Sequence, residues 1–242
     1  MRRINPIIKR YLLTTVVGII FCFVFLKCNK ETEDTSKIEN SNPVVMSDSI
    51  YNYSRNDNIN YYTVLMLLVK CKEGYAEGEY RCVAGVRTRG WGITKGELET
   101  LNKKYHFKPP IKWTDIDNKE MADSVLRAVL EMRCSEIKKR YHFLDAPAVF
   151  ALTSFVYNLG PGVLENATIK NGLAKYKKGN KLPLANAFLI YSKAKVRGRY
   201  VVLDGLRQRR ELEKALLLHD FSPYKVEQLR KLVVIKVKNP IR

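Results

Sequence analysis

Residues 70–94, which read KCKEGYAEGEYRCVAGVRTRGWGIT, constrain the fold of this chain more than any other segment. A run of apolar residues at helical spacing, residues 61–72, leads into this segment and ends there. The segment itself interleaves glycine with aromatic and β-branched residues, which is typical of short strands joined by tight turns. A helix followed directly by a small sheet, and then by more helices, indicates an α+β domain.

The chain beyond this segment is predicted to be helical. A long helix is expected to reach about Tyr141, with Thr114 and Asp117 as candidate N-caps before it. Asp145 and Pro147 predict the start of an apolar helix, APAVFALTSFVYNL, which the sequence GPG ends. Further helices are predicted at residues 163–176, 183–194 and 204–220, the last with Leu206, Leu212, Leu216 and Leu217 on its core face, and residues 231–242 are predicted to add a terminal strand.

The N-terminal part of the chain is predicted to attach it to a membrane. Four basic residues precede 16 apolar or neutral ones, residues 11–26. This length is long for the apolar part of a cleaved signal peptide and short of the roughly 20 residues of a membrane helix. We expect residues 1–28 to be an uncleaved anchor or a lipoprotein signal ending at Cys28, with the following domain outside the cytoplasm. The polar residues 29–60 are expected to be a linker.

The charge of the chain is concentrated in its folded part. The formal net charge is +19, of which residues 61–242 carry +17. A strongly basic domain favours a polyanionic partner: nucleic acid, anionic lipid headgroups or an acidic wall polymer. Export argues against nucleic acid, and a monomer is expected. Cysteine and histidine are not arranged at zinc-binding spacing, so that neither a metal nor a cofactor is predicted, and His106, His142 and His219 are given no catalytic role.

Glu73, Cys82 and Thr88 place an acid, a thiol and a hydroxyl at fixed spacing, with eight residues between the first two and five between the last two. A carboxyl at the end of an apolar helix that faces a glycine-rich sheet is partly removed from water, which favours its protonated form and suits a general acid. A threonine hydroxyl can hold a water molecule. A cysteine can act as a base when it is a thiolate, or as an electrostatic group. Glycosidic cleavage by an activated water needs groups of these kinds.

The three cysteines of the domain leave one question open. Cys71, Cys82 and Cys134 make an odd number in an oxidising compartment, so that at least one is a free thiol or a member of an exchangeable pair. A disulfide from Cys82 to either of the others would remove its thiolate and hold the enzyme inactive until thiol exchange released it. The alternative is three reduced, mostly buried cysteines without a regulatory role.

Three stretches carry a family resemblance: Glu73-Gly74 with YRCVAGVRTRGWGIT, then ALTSFVYNLGPG, then GLRQRRELEKALLL. They resemble, in this order, three motifs of the phage-type lysozymes, the family 24 glycoside hydrolases. These motifs are the Glu-Gly that precedes a Tyr-x-(Asp/Cys)-x-x-Gly-x-x-Thr-x-Gly-Tyr-Gly-x-Thr hairpin, the Ala-Leu-x-Ser-Phe-x-x-Asn-x-Gly helix and the Gly-Leu-x-x-Arg-Arg-x-x-Glu closing helix. The resemblance covers about residues 60–220. It implies a mostly helical, two-lobed lysozyme fold with a cleft between a small antiparallel sheet and the helices.

The resemblance also implies roles for individual residues. Glu73 would be the general acid and Thr88 would help to hold the attacking water. Cys82 stands where many members have aspartate; cysteine members exist, but the identity of the base stays open. The remaining implied site residues are Gly90, Trp91, Asn158 and Gly160, which would contact substrate, and Arg209 and Arg210, one of which would pair with Glu73. Asn158 could equally cap its helix before Gly160, and the two arginines could equally lie on a solvated helix face.

The function that these patterns predict is a membrane-attached muramidase. It would hydrolyse the β-1,4 bond between N-acetylmuramic acid and N-acetylglucosamine in peptidoglycan, for cell lysis or for local opening of the wall. Residues 61–222 would form the catalytic domain and residues 223–242 a C-terminal extension. The alternative is a peptidoglycan-binding protein that has lost catalysis because Cys82 replaced a carboxylate.

Overall fold

The computed structural model describes residues 54–55, 59–82, 85–196 and 199–238. They form a mostly helical α+β fold with a small antiparallel sheet, which confirms the predicted fold class. The strands are β1 (Ser54–Arg55), β2 (Ile59–Asn60), β3 (Ala76–Arg81), β4 (Arg87–Gly90), β5 (Ile93–Thr94), β6 (Lys193–Val196) and β7 (Arg199–Val202). The α-helices are α1 (Tyr61–Glu73), α2 (Lys95–Tyr105), α3 (Lys119–Arg140), α4 (Ala146–Leu159), α5 (Ala167–Lys177), α6 (Leu182–Leu189), α7 (Asp204–Leu217) and α8 (Pro223–Lys238).

Three strands form the sheet that follows α1, as the glycine-rich segment predicts. They are antiparallel in the order β3-β4-β5, and Thr88 in the middle strand lies opposite both Tyr80 and Thr94. The register of β3 shifts between Ala76 and Tyr80. Gly78, in this bulge, has φ = 86° and its N–H donates to the Asp117 carboxylate at 2.9 Å. A backbone N–H that leaves the ladder is therefore satisfied by a side chain from outside the sheet.

Helix α4 is the centre of the helical part, and it packs against α1, α3 and α7. Every residue from 147 to 156 is buried. The helix begins as predicted, because the Asp145 carboxylate accepts a hydrogen bond from the N–H of Ala148 at 3.0 Å. It ends as predicted at Gly160, whose φ of 80° is a conformation that glycine adopts without strain.

The start of α3 differs from the prediction. Its N-cap is Asn118, whose side chain accepts a hydrogen bond from the N–H of Met121 at 2.9 Å. The predicted caps, Thr114 and Asp117, belong instead to a 3₁₀ helix, Trp113–Asp117. The Asp117 carboxylate is already bonded to Gly78 and forms an ion pair with Arg89, so its oxygens serve the sheet rather than the helix.

Two other segments were predicted wrongly. The helix expected at residues 183–194 stops at Leu189, and Lys193–Val196 pairs with Arg199–Val202 in a hairpin. Residues 231–238 of the expected C-terminal strand are instead part of helix α8, which packs against α1 and buries Leu229. The β-branched residues near the C-terminus favour a strand locally, but packing on a neighbouring helix overrides this weak preference.

Ordered structure is also present before residue 61, the predicted start of the catalytic domain. Ile59, which was assigned to the linker, is buried, and it pairs with Arg55 in the β1–β2 ladder. Asn60 caps α1 by accepting a hydrogen bond from the N–H of Thr63 at 3.0 Å. Within the ranges that the structure describes, no helix has both the length and the apolarity needed to cross a membrane. The predicted anchor, residues 1–28, lies outside those ranges.

Candidate active site

Glu73 is the last residue of α1, at the point where the helix meets the sheet. Gly74 ends the helix with φ = 70°, and its N–H donates to the Lys70 carbonyl at 3.0 Å. The Glu73 side chain keeps 21% of its surface exposed. Its Oε1 atom accepts a hydrogen bond from Nη1 of Arg209, which arrives from α7. The carboxyl group is thus partly accessible and held in one orientation.

Gly92 lies against the other side of the Glu73 carboxyl group. A Cβ atom at this position would be 3.0 Å from Glu73 Oε2 and 3.1 Å from its Cδ, closer than side-chain atoms normally pack. The backbone of Gly92 also has φ = 88°, which residues with a side chain rarely adopt. Glycine here allows the turn between β4 and β5 to approach the carboxyl group directly.

Arg209 is buried and fully engaged. Its Nε donates to Oε1 of Glu213 at 3.1 Å and its Nη2 to the Ser154 carbonyl at 3.2 Å. The Ser154 hydroxyl donates to the same Glu213 oxygen at 2.7 Å. Of the two arginines proposed as partners of Glu73, Arg209 is the one that the structure places there. A network across α4 and α7 fixes the guanidinium group, so this group can fix the carboxyl group in turn.

Arg210 has a different role. Its guanidinium group lies over the Phe155 ring at 4.8 Å, faces Glu213 Oε2 at 3.1 Å and donates to the side-chain oxygen of Asn158. Burial lowers the pKa of Arg210 to about 10, although Glu213 opposes this shift. Both arginines are buried, so the interpretation of a solvated helix face is wrong for this pair.

Asn158 and Gly160 lie at the end of α4. The C-cap is Gly160 itself, and the Asn158 side chain is turned to Arg210 instead of capping the helix. Both residues are half-buried, so their proposed contact with substrate stays a prediction.

Cys82 and Glu73 both influence the hydroxyl group of Tyr80. Burial raises the pKa of Tyr80 to about 12, and the negative charges that Glu73 and Cys82 can carry add to this shift. Cys82 is half-buried in the turn after β3. Thr88 is only 2% exposed, and its hydroxyl donates to the Val86 carbonyl at 3.0 Å. The Thr88 oxygen can therefore accept a hydrogen bond from a water molecule, whereas its hydrogen is already used.

Gly90 and Trp91, which were predicted to contact substrate, are both buried in this structure. Trp91 is 0% exposed, and its indole N–H donates to Asp123 Oδ1 at 2.5 Å. Gly90 is buried as well, and a Cβ atom there would lie 2.8 Å from the Ile116 side chain. The turn directs both residues into the core, whereas Gly92 is the residue that lies against Glu73, and the substrate contact of Gly90 and Trp91 stays a prediction.

Sequence reasoning missed two further groups beside Glu73. Tyr157 on α4 donates its hydroxyl hydrogen to the Trp91 carbonyl at 3.0 Å. Glu97 on α2 forms a capping box with Thr94. Burial raises the pKa of Glu97, while hydrogen bonds from Thr94 and the charge of Arg133 oppose the shift and the Glu73 carboxylate adds to it. The Thr-x-x-Glu spacing at the end of the sheet motif was the signal that could have identified Glu97.

Neither Cys82 nor Cys134 forms a disulfide. Cys71 and Cys134 are buried in α1 and α3, and Cys134 Sγ lies 3.2 Å from the Thr153 hydroxyl. Burial raises the pKa of Cys134 to about 12. A disulfide with Cys82 is therefore not part of this conformation. In the described part of the chain, no group of three or more His, Cys, Asp or Glu residues is placed to hold a metal ion.

Residues 70–213, more than half of the chain, match the model of the phage lysozyme family, and the chain belongs to that family. The endolysin of Acyrthosiphon pisum secondary endosymbiont phage 1 is 28% identical over 152 residues, which cover 62% of this chain and 92% of that protein. Similar solved structures include the endolysin from Escherichia coli O157:H7 phage FAHEc1, at 25% identity and a TM-score of 0.49, covering 66% of this chain and 94% of that one. The muramidase domain of SpmX from Asticaccaulis excentricus has 24% identity and a TM-score of 0.49, covering 64% and 94%.

Family membership confirms the resemblance drawn from the three motifs. The chain is a lysozyme, a glycoside hydrolase that acts on peptidoglycan.

Proposed function

We propose that this protein cleaves the β-1,4 bond between N-acetylmuramic acid and N-acetylglucosamine, with Glu73 as the general acid. The observation that supports this role is the setting of the Glu73 carboxyl group. It is accessible at the end of α1, bonded to buried Arg209 through one oxygen and in contact with Gly92 at the other. A proton donor must be held within reach of the leaving oxygen, and these contacts provide that constraint.

In the reaction, the protonated Glu73 gives its proton to the glycosidic oxygen as the bond to the anomeric carbon breaks. The leaving sugar departs as an alcohol, and positive charge develops at the anomeric carbon and ring oxygen. A water molecule attacks that carbon and loses a proton to a base. The product is a new reducing end, and Glu73 recovers its proton from solvent for the next turnover.

Thr88 and Cys82 are the proposed groups on the water side. The hydroxyl oxygen of Thr88 donates its hydrogen to Val86, which leaves its lone pairs for a hydrogen from water. Cys82 would accept the proton as a thiolate or stabilise the developing positive charge. It directly follows β3, in which Tyr80 is paired with Thr88, and this supports a place for Cys82 near Thr88.

The positive charge of the domain also suits binding to the bacterial wall. Residues 61–242 carry a net charge of +17, and bacterial walls with their attached polymers are anionic. Peptidoglycan lies outside the cytoplasm, and residues 1–28 are proposed to attach the chain to the membrane. The long apolar stretch of this segment favours local, tethered cleavage of the wall over a released lysin.

The test of the mechanism is Glu73→Gln, which keeps the shape of the side chain but cannot donate the proton. Release of muropeptides from purified peptidoglycan, measured by mass spectrometry of new reducing ends, should fall by at least about a hundredfold. The matched control is Glu77→Gln, an exposed carboxylate on β3 that should leave the rate unchanged. Near-normal release by Glu73→Gln would rule out this mechanism.

The same assay distinguishes the proposed hydrolase from the alternative, a wall-binding protein that has lost catalysis. This alternative arises because Cys82 stands where many family members have aspartate. A wall-binding protein without catalysis would sediment with peptidoglycan but release nothing in its wild-type form. Release of fragments with reducing N-acetylmuramic acid ends would exclude this alternative.

A further inference from the structure

One hydrogen bond connects α4 to the turn beside Glu73. The turn consists of Trp91 and Gly92, between strands β4 and β5. The hydroxyl of Tyr157, near the end of α4, donates to the Trp91 carbonyl oxygen at 3.0 Å. Tyr157 thus links the helical part of the fold to the backbone of the sheet at one point.

This bond acts on the peptide group that sets the position of Gly92. The Trp91 carbonyl and the Gly92 nitrogen belong to the same planar peptide unit. A hydrogen bond that orients the carbonyl therefore also orients the start of Gly92. Because a Cβ atom at Gly92 would be 3.0 Å from Glu73 Oε2, the Gly92 backbone is in contact with the carboxyl group, and movement of the turn would change the space around the acid.

Other contacts of the turn involve the Trp91 side chain. The Trp91 indole N–H donates to Asp123 on α3. Lys70 pairs with the same Asp123 oxygen at 2.8 Å and lies 5.0 Å from the centre of the indole ring. These contacts anchor Trp91 in the core, whereas the Tyr157 bond acts on the backbone next to Gly92.

We propose that Tyr157 is a positioning residue: through the Trp91 carbonyl it holds Gly92 against Glu73 and so keeps the acid in its reactive orientation. Arg209 fixes Oε1 of Glu73, and the turn held by Tyr157 confines the Oε2 side. The inference rests on the proposed function of Glu73, since it gives Tyr157 an effect on catalysis only through that carboxyl group.

The phenol is suited to be a permanent donor. Burial raises the pKa of Tyr157 well above its ordinary value, and the carboxylates of Glu97 and Glu73 raise it further. The hydroxyl therefore remains protonated throughout the pH range in which a lysozyme would work.

The experiment is Tyr157→Phe in the full-length chain, which keeps the ring and removes only the donor. The kcat for peptidoglycan fragments should fall about tenfold, as expected for loss of one hydrogen bond that orients the acid, with KM changed less than about twofold. The matched control is Tyr61→Phe, which removes a phenol bond to the His219 carbonyl at the far end of α1. This control should lower stability without changing kcat per folded molecule.

A double variant tests whether Tyr157 acts through Glu73. If it does, adding Tyr157→Phe to Glu73→Gln should leave the small residual rate of the single variant unchanged. A further tenfold loss in the double variant would overturn the proposal, and so would an unaltered kcat for Tyr157→Phe. A wild-type chain that releases no fragments would instead contradict the proposed function itself.

A donor-preserving replacement covers the case in which Tyr157→Phe folds poorly. Tyr157→para-aminophenylalanine places an N–H donor at the same site. Recovery of kcat with this residue supports the positioning role, and a kcat that stays as low as that of the phenylalanine variant contradicts it.

Discussion

Cys82 is the residue whose chemistry most affects the proposed mechanism. Its backbone is fixed independently of its side chain: the Cys82 N–H donates to the Val86 carbonyl at 3.0 Å, and its own carbonyl accepts from the Gly85 N–H at 2.7 Å. Substitutions at this position should therefore retain the turn. They test the side-chain chemistry alone.

We expect Cys82→Asp to retain or increase muropeptide release, because it supplies a carboxylate at the same place. Cys82→Ser should reduce release by about tenfold or more, since a hydroxyl is a much poorer base than a thiolate. Initial rates of reducing-end formation measure both. A Cys82→Ala variant as active as the wild type would show that the residue only packs, and that Thr88 positions water with another group.

At the scale of elements, α4 carries Ser154, Tyr157 and Asn158 into the site, so its starting point sets their positions. The helix begins at the Asp145 cap. The Asp145 carboxylate also pairs with Lys181 at 2.7 Å and with His219 at 3.1 Å. One carboxylate thus joins the beginning of α4 to the segments before α6 and after α7.

The Asp145→Asn variant is predicted to reveal these ion pairs through the pH dependence of its stability. Burial alone would raise the pKa of Asp145, but the hydrogen bonds from Lys181 and Ala148 outweigh it and the pKa is lowered. The ionised form therefore stabilises the fold above the unfolded-state pKa of about 4, and this contribution disappears as the pH falls through the lower, folded-state pKa. Asparagine still caps a helix but cannot form the ion pairs.

Thermal unfolding followed by circular dichroism should thus give a lower Tm for Asp145→Asn at pH 7 than for the wild type. The difference should shrink as the pH falls below about 4. A difference in Tm that is equal at pH 7 and pH 3 would contradict the assignment. As a separate comparison, Asp145→Ala loses the cap as well, which costs about 1 kcal/mol more.

At the scale of the whole molecule, the described residues after 222 are helical and packed against an earlier helix. Helix α8 packs on α1, the helix that ends at Glu73. Leu229 is 3% exposed at this contact, whereas Tyr224 on the same helix is 72% exposed. Helix α1 is thus covered by a segment that the sequence had assigned to an extension.

Leu229→Ala should lower the free energy of unfolding by about 2–4 kcal/mol, since it leaves a cavity between two helices. The control Tyr224→Ala should change it by less than about 0.5 kcal/mol. Thermal unfolding of the full-length chain measures both. Equal stability of the two variants would place the end of the domain near residue 222, as the sequence predicted.

Local patterns determined much of the fold and part of the site. The end of α1 at Glu73, the glycine-rich sheet, the Asp145 cap and the Gly160 stop all follow from periodicity, capping and turn chemistry within a few residues. The three motifs, by their order and spacing, also gave the family. These features could be predicted because each is decided by neighbours in the sequence.

Burial was decided by tertiary structure. Trp91 is in the core because Asp123, which is 32 residues away, accepts its indole hydrogen bond. Arg209 and Arg210 are buried because Glu213 and Ser154 satisfy charges that a lone helix would turn to solvent. Residues 223–238 are helical because α1 offers a surface for them. Partners that meet only in the folded chain set these outcomes, and no local pattern contains them.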